Sequence, residues 1–227
     1  MELARIGLSR LRGRITHRLV PSRYPPIGIL DQVTSPEDLE AIFELEAWSN
    51  DRVSQELGIL YGIPKEEWVF GSNATVVMAA FCHPRPQGGR FNDSTRGAWY
   101  AGFQLETAQR EVAFHKTKEL AEVGVFETTV QFREYVARFS AEFHDIRPAN
   151  PKFAPYHRPD TYQYSQKLAA TLLEHGSDGI LYRCVRHPGG QCIACFRPRL
   201  VENVRQSAHF EFRWEGVPTP KIRKLTK

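Results

Sequence analysis

The stretch Ala98-Trp99-Tyr100-Ala101-Gly102-Phe103-Gln104-Leu105-Glu106-Thr107-Ala108-Gln109-Arg110-Glu111 changes period partway along. Trp99 and Tyr100 read as a short strand. From Leu105 the apolar positions Leu105, Ala108 and Val112 share one stripe of a 3.6-residue helix, with Glu111 at its edge and His115 one turn further on. The rim of a buried face is a costly place for a carboxylate. It must be paired, neutralised or functional, because an unpaired buried ion costs several kcal/mol or more. The competing reading is an edge Glu that reaches solvent or caps a neighbouring Arg.

Upstream, His83-Pro84-Arg85-Pro86-Gln87-Gly88-Gly89-Arg90-Phe91-Asn92 must be a loop, since prolines and paired glycines interrupt both regular structures. Such a loop brings backbone close to a ligand, and this one delivers Arg90. Residues 71–81 are apolar and fit a strand or a short helix. Ser35 as N-cap, Pro36 at the first position and Asp38 in the first turn predict a helix running to about Leu57. Thr16 to Val20 is extended and ends at Pro21.

Downstream, Val130, Phe132, Tyr135 and Val136 alternate with one slip of register and predict a strand over Thr128–Phe139. Thr161 to His175 reads as a helix with Leu168, Ala169, Leu172 and Leu173 inward, ended by Gly176. Strands over 179–185 and 191–197 are joined by His187-Pro188-Gly189-Gly190, a hairpin signature. Strands and helices so intermixed predict an α+β single domain, with a mixed or split β-sheet flanked by helices. The expected division is a basic N-terminal extension (1–15), the domain (16–204) with a long helical insertion at about 34–58, and a C-terminal tail (205–227).

At 227 residues the chain is long enough for one sizeable core, and 41% hydrophobic residues supply it. The net charge of +4 is mild and gathers at the ends, in Arg5 to Arg23 and Lys221 to Lys227. Aromatic interleaving and a recognition-helix pattern are missing, so direct nucleic-acid binding is not expected. With no apolar run near the ~18 residues of a membrane span and no signal-peptide core, the expected location is cytoplasmic.

Four cysteines are too few for a disulfide framework in such a chain. Cys192-x-x-Cys195 suggests zinc, but residues three apart on a strand point to opposite faces. His83, His187 and His209 fall in loops or ends without ligand spacing. No metal is expected.

Several segments together resemble the RES domain family, best known as toxins of toxin–antitoxin pairs. They are His17-Arg18-Leu19-Val20-Pro21-Ser22-Arg23, Gly88-Gly89-Arg90-Phe91-Asn92, and Trp99-Tyr100-Ala101 followed by Glu106-Thr107-Ala108 and Glu111. Asp160-x-Tyr162-x-x-Ser165-Gln166, Gly176-x-Asp178-Gly179-Ile180-Leu181-Tyr182 and Gly189-Gly190-x-Cys192-x-Ala194-x-Phe196 follow in order. The resemblance implies a fold related to the ADP-ribosyltransferase toxins and depletion of NAD by cleavage of its nicotinamide bond. It implies a site of Arg18, Arg90, Tyr100 and Glu111. The family's serine falls in a segment that here reads Tyr182-Arg183-Cys184-Val185-Arg186, so Cys184 stands in its place among the expected catalytic residues, and Arg186 is expected to bind NAD with Arg18, Arg90 and Tyr100. NAD enters as substrate rather than cofactor, with phosphate a possible co-substrate. The implied partner is an antitoxin, often carrying a helix-turn-helix domain. Homo-oligomerisation stays open.

The residue types suit that chemistry. Guanidinium forks pair with the two phosphates of a dinucleotide. A carboxylate favours the oxocarbenium-like ribose formed as a glycosidic bond breaks. An aromatic ring stacks on nicotinamide or ribose. Because a thiol is a poorer hydrogen-bond partner than a hydroxyl, Cys184 keeps a second reading alive, a catalytically weakened nucleotide-binding or regulatory protein of the same fold.

Overall fold

The structure, a computed structural model, describes residues 6–24, 29–31, 35, 37–38 and 63–226. Nine strands form one sheet: β1 (Leu8–Arg10), β2 (Arg14–Pro21), β3 (Trp99–Gly102), β4 (Glu127–Phe139), β5 (Glu142–Asp145), β6 (Gly179–Arg183), β7 (Gln191–Cys195), β8 (Glu202–Glu215) and β9 (Lys221–Leu225). Their order is β1-β5-β6-β7-β3-β2-β4-β8-β9. β5 and β6 run parallel and the other neighbours antiparallel, so the sheet is mixed.

The sheet is nearly split in its middle. β2 pairs with β4 from Arg14↔Phe139 to Pro21↔Phe132, and β3 pairs with β7 over all four of its residues. Between β2 and β3 only His17↔Gly102 is in register. Past that pair the strands fork, and a side chain takes the place of ladder bonds.

Among the described residues, helices α1 (Ala74–Cys82), α2 (Leu105–Val123) and α3 (Gln163–Glu174) cover the faces. Alternation along the strands sorts the core. Trp99, Ala101, Leu181, Ile193 and Cys195 pack with Val77, Met78 and Phe81 of α1. Ile180, Tyr182, Cys192 and Ala194 face the other way, onto Leu168, Ala169 and Leu172 of α3. Beside them Phe132, Phe210, Phe212 and Trp214 meet Ala108 and Leu120 of α2. Gly124, in the left-handed region at φ +69°, ends α2 and donates to the carbonyls of Ala121 and Leu120.

Two of the expected segments are corrected. Residues 205–226 are not a tail: β8 takes residues 205–215 with β9 outside it, because Phe210, Phe212 and Trp214 alternate inward between Glu211, Arg213 and Glu215. His209 accordingly lies on a strand. Residues 8–10 and 14–15, expected in a loose extension, are sheet strands. The apolar run at 71–81 forms a helix, and the slip in β4 falls at irregularities opposite β8 near Arg133 and Val136. At the start of the expected long helix, Ser35 Oγ accepts from the Asp38 N–H at 3.0 Å; most of that helix falls outside the described residues.

Candidate functional site

The site is built where α2 crosses β3, β7 and the end of β6. Glu111 projects from the second turn of α2, and the thiol of Cys184, the residue after β6, donates to its Oε1 at 2.9 Å. His115 Nε2 lies 3.7 Å from the other oxygen, beyond hydrogen-bond range. Burial, with Arg85 and Arg186 nearby, pushes the His115 pKa down to about 4, so the ring is neutral at pH 7 and forms no ion pair with Glu111. Among the described residues, no Lys or Arg lies within ion-pair distance of this carboxylate. Glu67 shows the contrast: more deeply buried, it is clamped by Arg96 at 2.8 Å and Arg197 at 2.6 Å. Glu67 is structural by that test. Glu111 is uncommitted.

The glycine loop is fixed against β3. The Tyr100 hydroxyl donates to Asn92 Oδ1 at 2.8 Å and accepts from the Phe91 N–H at 2.7 Å. Burial holds the phenol well above its ordinary pKa, so it remains a donor. A Cβ at Gly89 would stand 2.5 Å from Asn92 Oδ1 and 2.8 Å from the Tyr100 hydroxyl, so only glycine lets the loop close on the ring. Gln166 of α3 adds bonds from Nε2 to the carbonyls of Gln87 and Gly89.

This loop delivers Arg90. Its guanidinium donates to the carbonyls of Tyr156 (3.2 Å) and Arg158 (2.8 Å) and lies 4.7 Å from the centroid of Tyr162. Arg18 enters the fork between β2 and β3, donates to the Tyr100 carbonyl at 3.1 Å and stacks 4.8 Å above Trp99. Burial lowers its pKa to about 10, leaving it charged at neutral pH. Among the described residues neither arginine has a carboxylate partner, so both positive charges are uncompensated by protein acids.

The expected residues therefore group as two contacts and a bridge. Glu111 joins Cys184, Arg18 joins Tyr100, and the Phe91 backbone N–H and the Asn92 side chain tie the Arg90 loop to Tyr100. Tyr182, buried on the same face and edge-on to Phe91, is raised in pKa mainly by burial and also senses Glu111, Tyr100 and Arg90. Arg186 sits at the margin, 3.5 Å from the Phe114 centroid and bonded to the Pro159 carbonyl at 2.7 Å. A cleft of about 420 Å³ opens beside the cluster, lined by Arg147, His157, Arg183, Cys184 and the hairpin residues to Gln191. It touches the cluster through Cys184 alone. The cleft is a space adjoining the cluster.

Tyr182 and Asn92 join this site without having been singled out as functional, and so does Cys192, which had been weighed only as a zinc partner of Cys195. Cys192 was legible in the hairpin register. Tyr182 opposes Cys192 and Cys184 donates its N–H to the Gly190 carbonyl, which puts the two thiols diagonally across one hairpin face. Cys192 and Cys195 do point to opposite faces, into separate cores.

The chain is 27% identical over 209 residues to a Sinorhizobium fredii protein named "Uncharacterized protein y4oC", covering 88% of this chain and 83% of that relative. Among solved structures, a toxin–antitoxin complex of M. tuberculosis, MbcT–MbcA, aligns with 90% of this chain and 86% of its own at 8% identity and a TM-score of 0.46. The sequence model of the RES domain matches residues 59–215, a span holding Arg90, Tyr100, Glu111, Cys184 and Arg186 and leaving Arg18 upstream. With its greater part so matched, the chain belongs to the RES domain family.

Proposed function

We propose that this protein degrades NAD by breaking its nicotinamide–ribose bond, with Glu111 as the group that stabilises the positive charge developing on the ribose. One observation carries the reading. Among the described residues, the carboxylate and the arginines of the site are not spent on one another: Glu111 has a thiol for its hydrogen-bond partner, and Arg90 and Arg18 have carbonyls and rings. A dinucleotide offers the complement to both. Its phosphates answer the guanidinium groups, and its ribose, electron-poor as nicotinamide leaves, answers the carboxylate.

Within this reading Tyr100 positions the loop through its hydroxyl, and its ring face is offered to the sugar or base. Cys184 orients Glu111 as the family's serine would. RES family membership supports a growth-inhibiting role and an antitoxin partner. Incubating pure protein with NAD, with and without phosphate, tests the reading. Nicotinamide release supports it, and release that requires phosphate identifies a phosphorylase rather than a glycohydrolase.

Cys184 in the serine position favours the second reading, a nucleotide-binding protein of weakened activity. NAD bound but left intact over hours would favour that reading.

A further inference from the structure

Behind the thiol that meets Glu111 lies a second one. Cys192 Sγ, Cys184 Sγ and a Glu111 carboxylate oxygen all lie within 4.8 Å of one another. We propose that these three side chains form a binding site for one thiophilic divalent cation, zinc or cadmium, placed on the same carboxylate that the proposed reaction uses.

The donor set suits such an ion. Two sulfurs and one carboxylate oxygen are soft-to-borderline ligands, and three protein donors leave one tetrahedral position for water. With metal–ligand bonds of ~2.0–2.3 Å, tetrahedral donors stand roughly 3.3–3.8 Å apart, so the three groups need only small side-chain rotations. The donors are also held in place. Glu111 is on α2, Cys192 on the central strand β7, and Cys184 is pinned by its N–H to the Gly190 carbonyl at 2.9 Å. No Lys or Arg among the described residues pairs with Glu111 and would have to be displaced. Cys184 also lines the adjoining cleft, which supplies an entry path.

The sequence motif points to the wrong pair. Cys195 lies on the opposite face, its thiol donating to the Arg197 carbonyl at 3.3 Å, and cannot share an ion with Cys192. The partner of Cys192 is Cys184, across the hairpin.

Binding replaces two thiol protons, which pass to solvent, by two metal–sulfur bonds and adds one metal–oxygen bond to the Glu111 carboxylate. Affinity should therefore rise with pH. The cation binding stands independently of NAD cleavage. Only its consequence, that the metal silences turnover by occupying Glu111, rests on the proposed function.

The test is titration of metal-free full-length protein with cadmium, followed by sulfur-to-cadmium absorption. Alkylation of the thiols with peptide mapping accompanies it. One cadmium per chain with the intensity of two thiolates is expected, with Cys184 and Cys192 protected from alkylation while Cys82 still reacts. Cys192→Ser or Cys184→Ser should halve the absorption and weaken binding about tenfold or more, and Glu111→Gln should keep the absorption but weaken binding. Absence of the absorption, or an absorption unchanged by both Cys→Ser substitutions, overturns the site. If a variant does not fold, the protection pattern of the unaltered protein decides: unprotected Cys184 and Cys192 overturn it. NAD cleavage is assayed separately without metal, so cadmium binding without cleavage rejects the enzyme reading alone, and cleavage without cadmium binding rejects the metal site alone.

Discussion

Replacing Glu111 by Gln removes one negative charge and little else. The amide keeps an oxygen at the place where Cys184 donates at 2.9 Å, and the neutral His115 loses no ion pair. Stability should therefore change by less than ~1 kcal/mol, and Tm by no more than about 4 °C for a chain this size. Turnover should respond far more. A carboxylate ~4 Å from a developing unit charge contributes ~4 kcal/mol at an effective dielectric near 20, and loss of a preorganised electrostatic group commonly costs ~2.7–4 kcal/mol. The expected result is a kcat lower by about 10²–10³, with KM changed by less than about threefold because the phosphates are held elsewhere. The assay is nicotinamide release under saturating NAD, paired with thermal melts of both proteins. A variant with intact melting and kcat within about threefold of the parent would show that Glu111 is a structural edge residue and refute the reasoning.

Cys184→Ser should retain or raise turnover, since a hydroxyl donates to Glu111 better than a thiol, whereas Cys184→Ala should lower it; loss of turnover in the serine variant would reject the serine-equivalent role. Tyr100→Phe leaves the half-buried Asn92 Oδ1 and the Phe91 N–H without their partner, at a cost of ~1–3 kcal/mol and a Tm roughly 3–10 °C lower, readable by calorimetry. For His115, the folded pKa of about 4 lies below the ordinary imidazole value of 6.5, so the unfolded chain binds the proton first as pH falls. The stability it contributes is complete above pH about 6.5 and is lost, by ~2–3 kcal/mol, as pH falls toward 4. Denaturant unfolding across that range should show a shallower acid loss in His115→Gln, and an identical slope would contradict the assignment.

The helices announced themselves through local signals. The stripe of Leu105, Ala108 and Val112 and the Gly176 stop are short-range patterns, and α2 and α3 form where those patterns lie. The hairpin before β7 was equally local. What escaped was set by distant partners. β8 reads as a charged end until Phe132 and α2 are known to cover Phe210, Phe212 and Trp214. β5 has only four residues and gains its identity from parallel pairing with β6, more than thirty positions later. In the site, the eleven-residue spacing of Tyr100 and Glu111 was visible in the sequence. The fork that admits Arg18 was not, because it depends on β2 and β3 failing to pair beyond His17. The approach of Cys192 to Glu111 also depended on α2 lying across β3, the strand beside β7.

Nicotinamide released from NAD by the pure protein is the most direct test of the account. Time-dependent release at a rate proportional to protein, and abolished in Glu111→Gln, is the predicted result. NAD recovered intact after prolonged incubation with folded protein, in the presence and absence of phosphate, would contradict it.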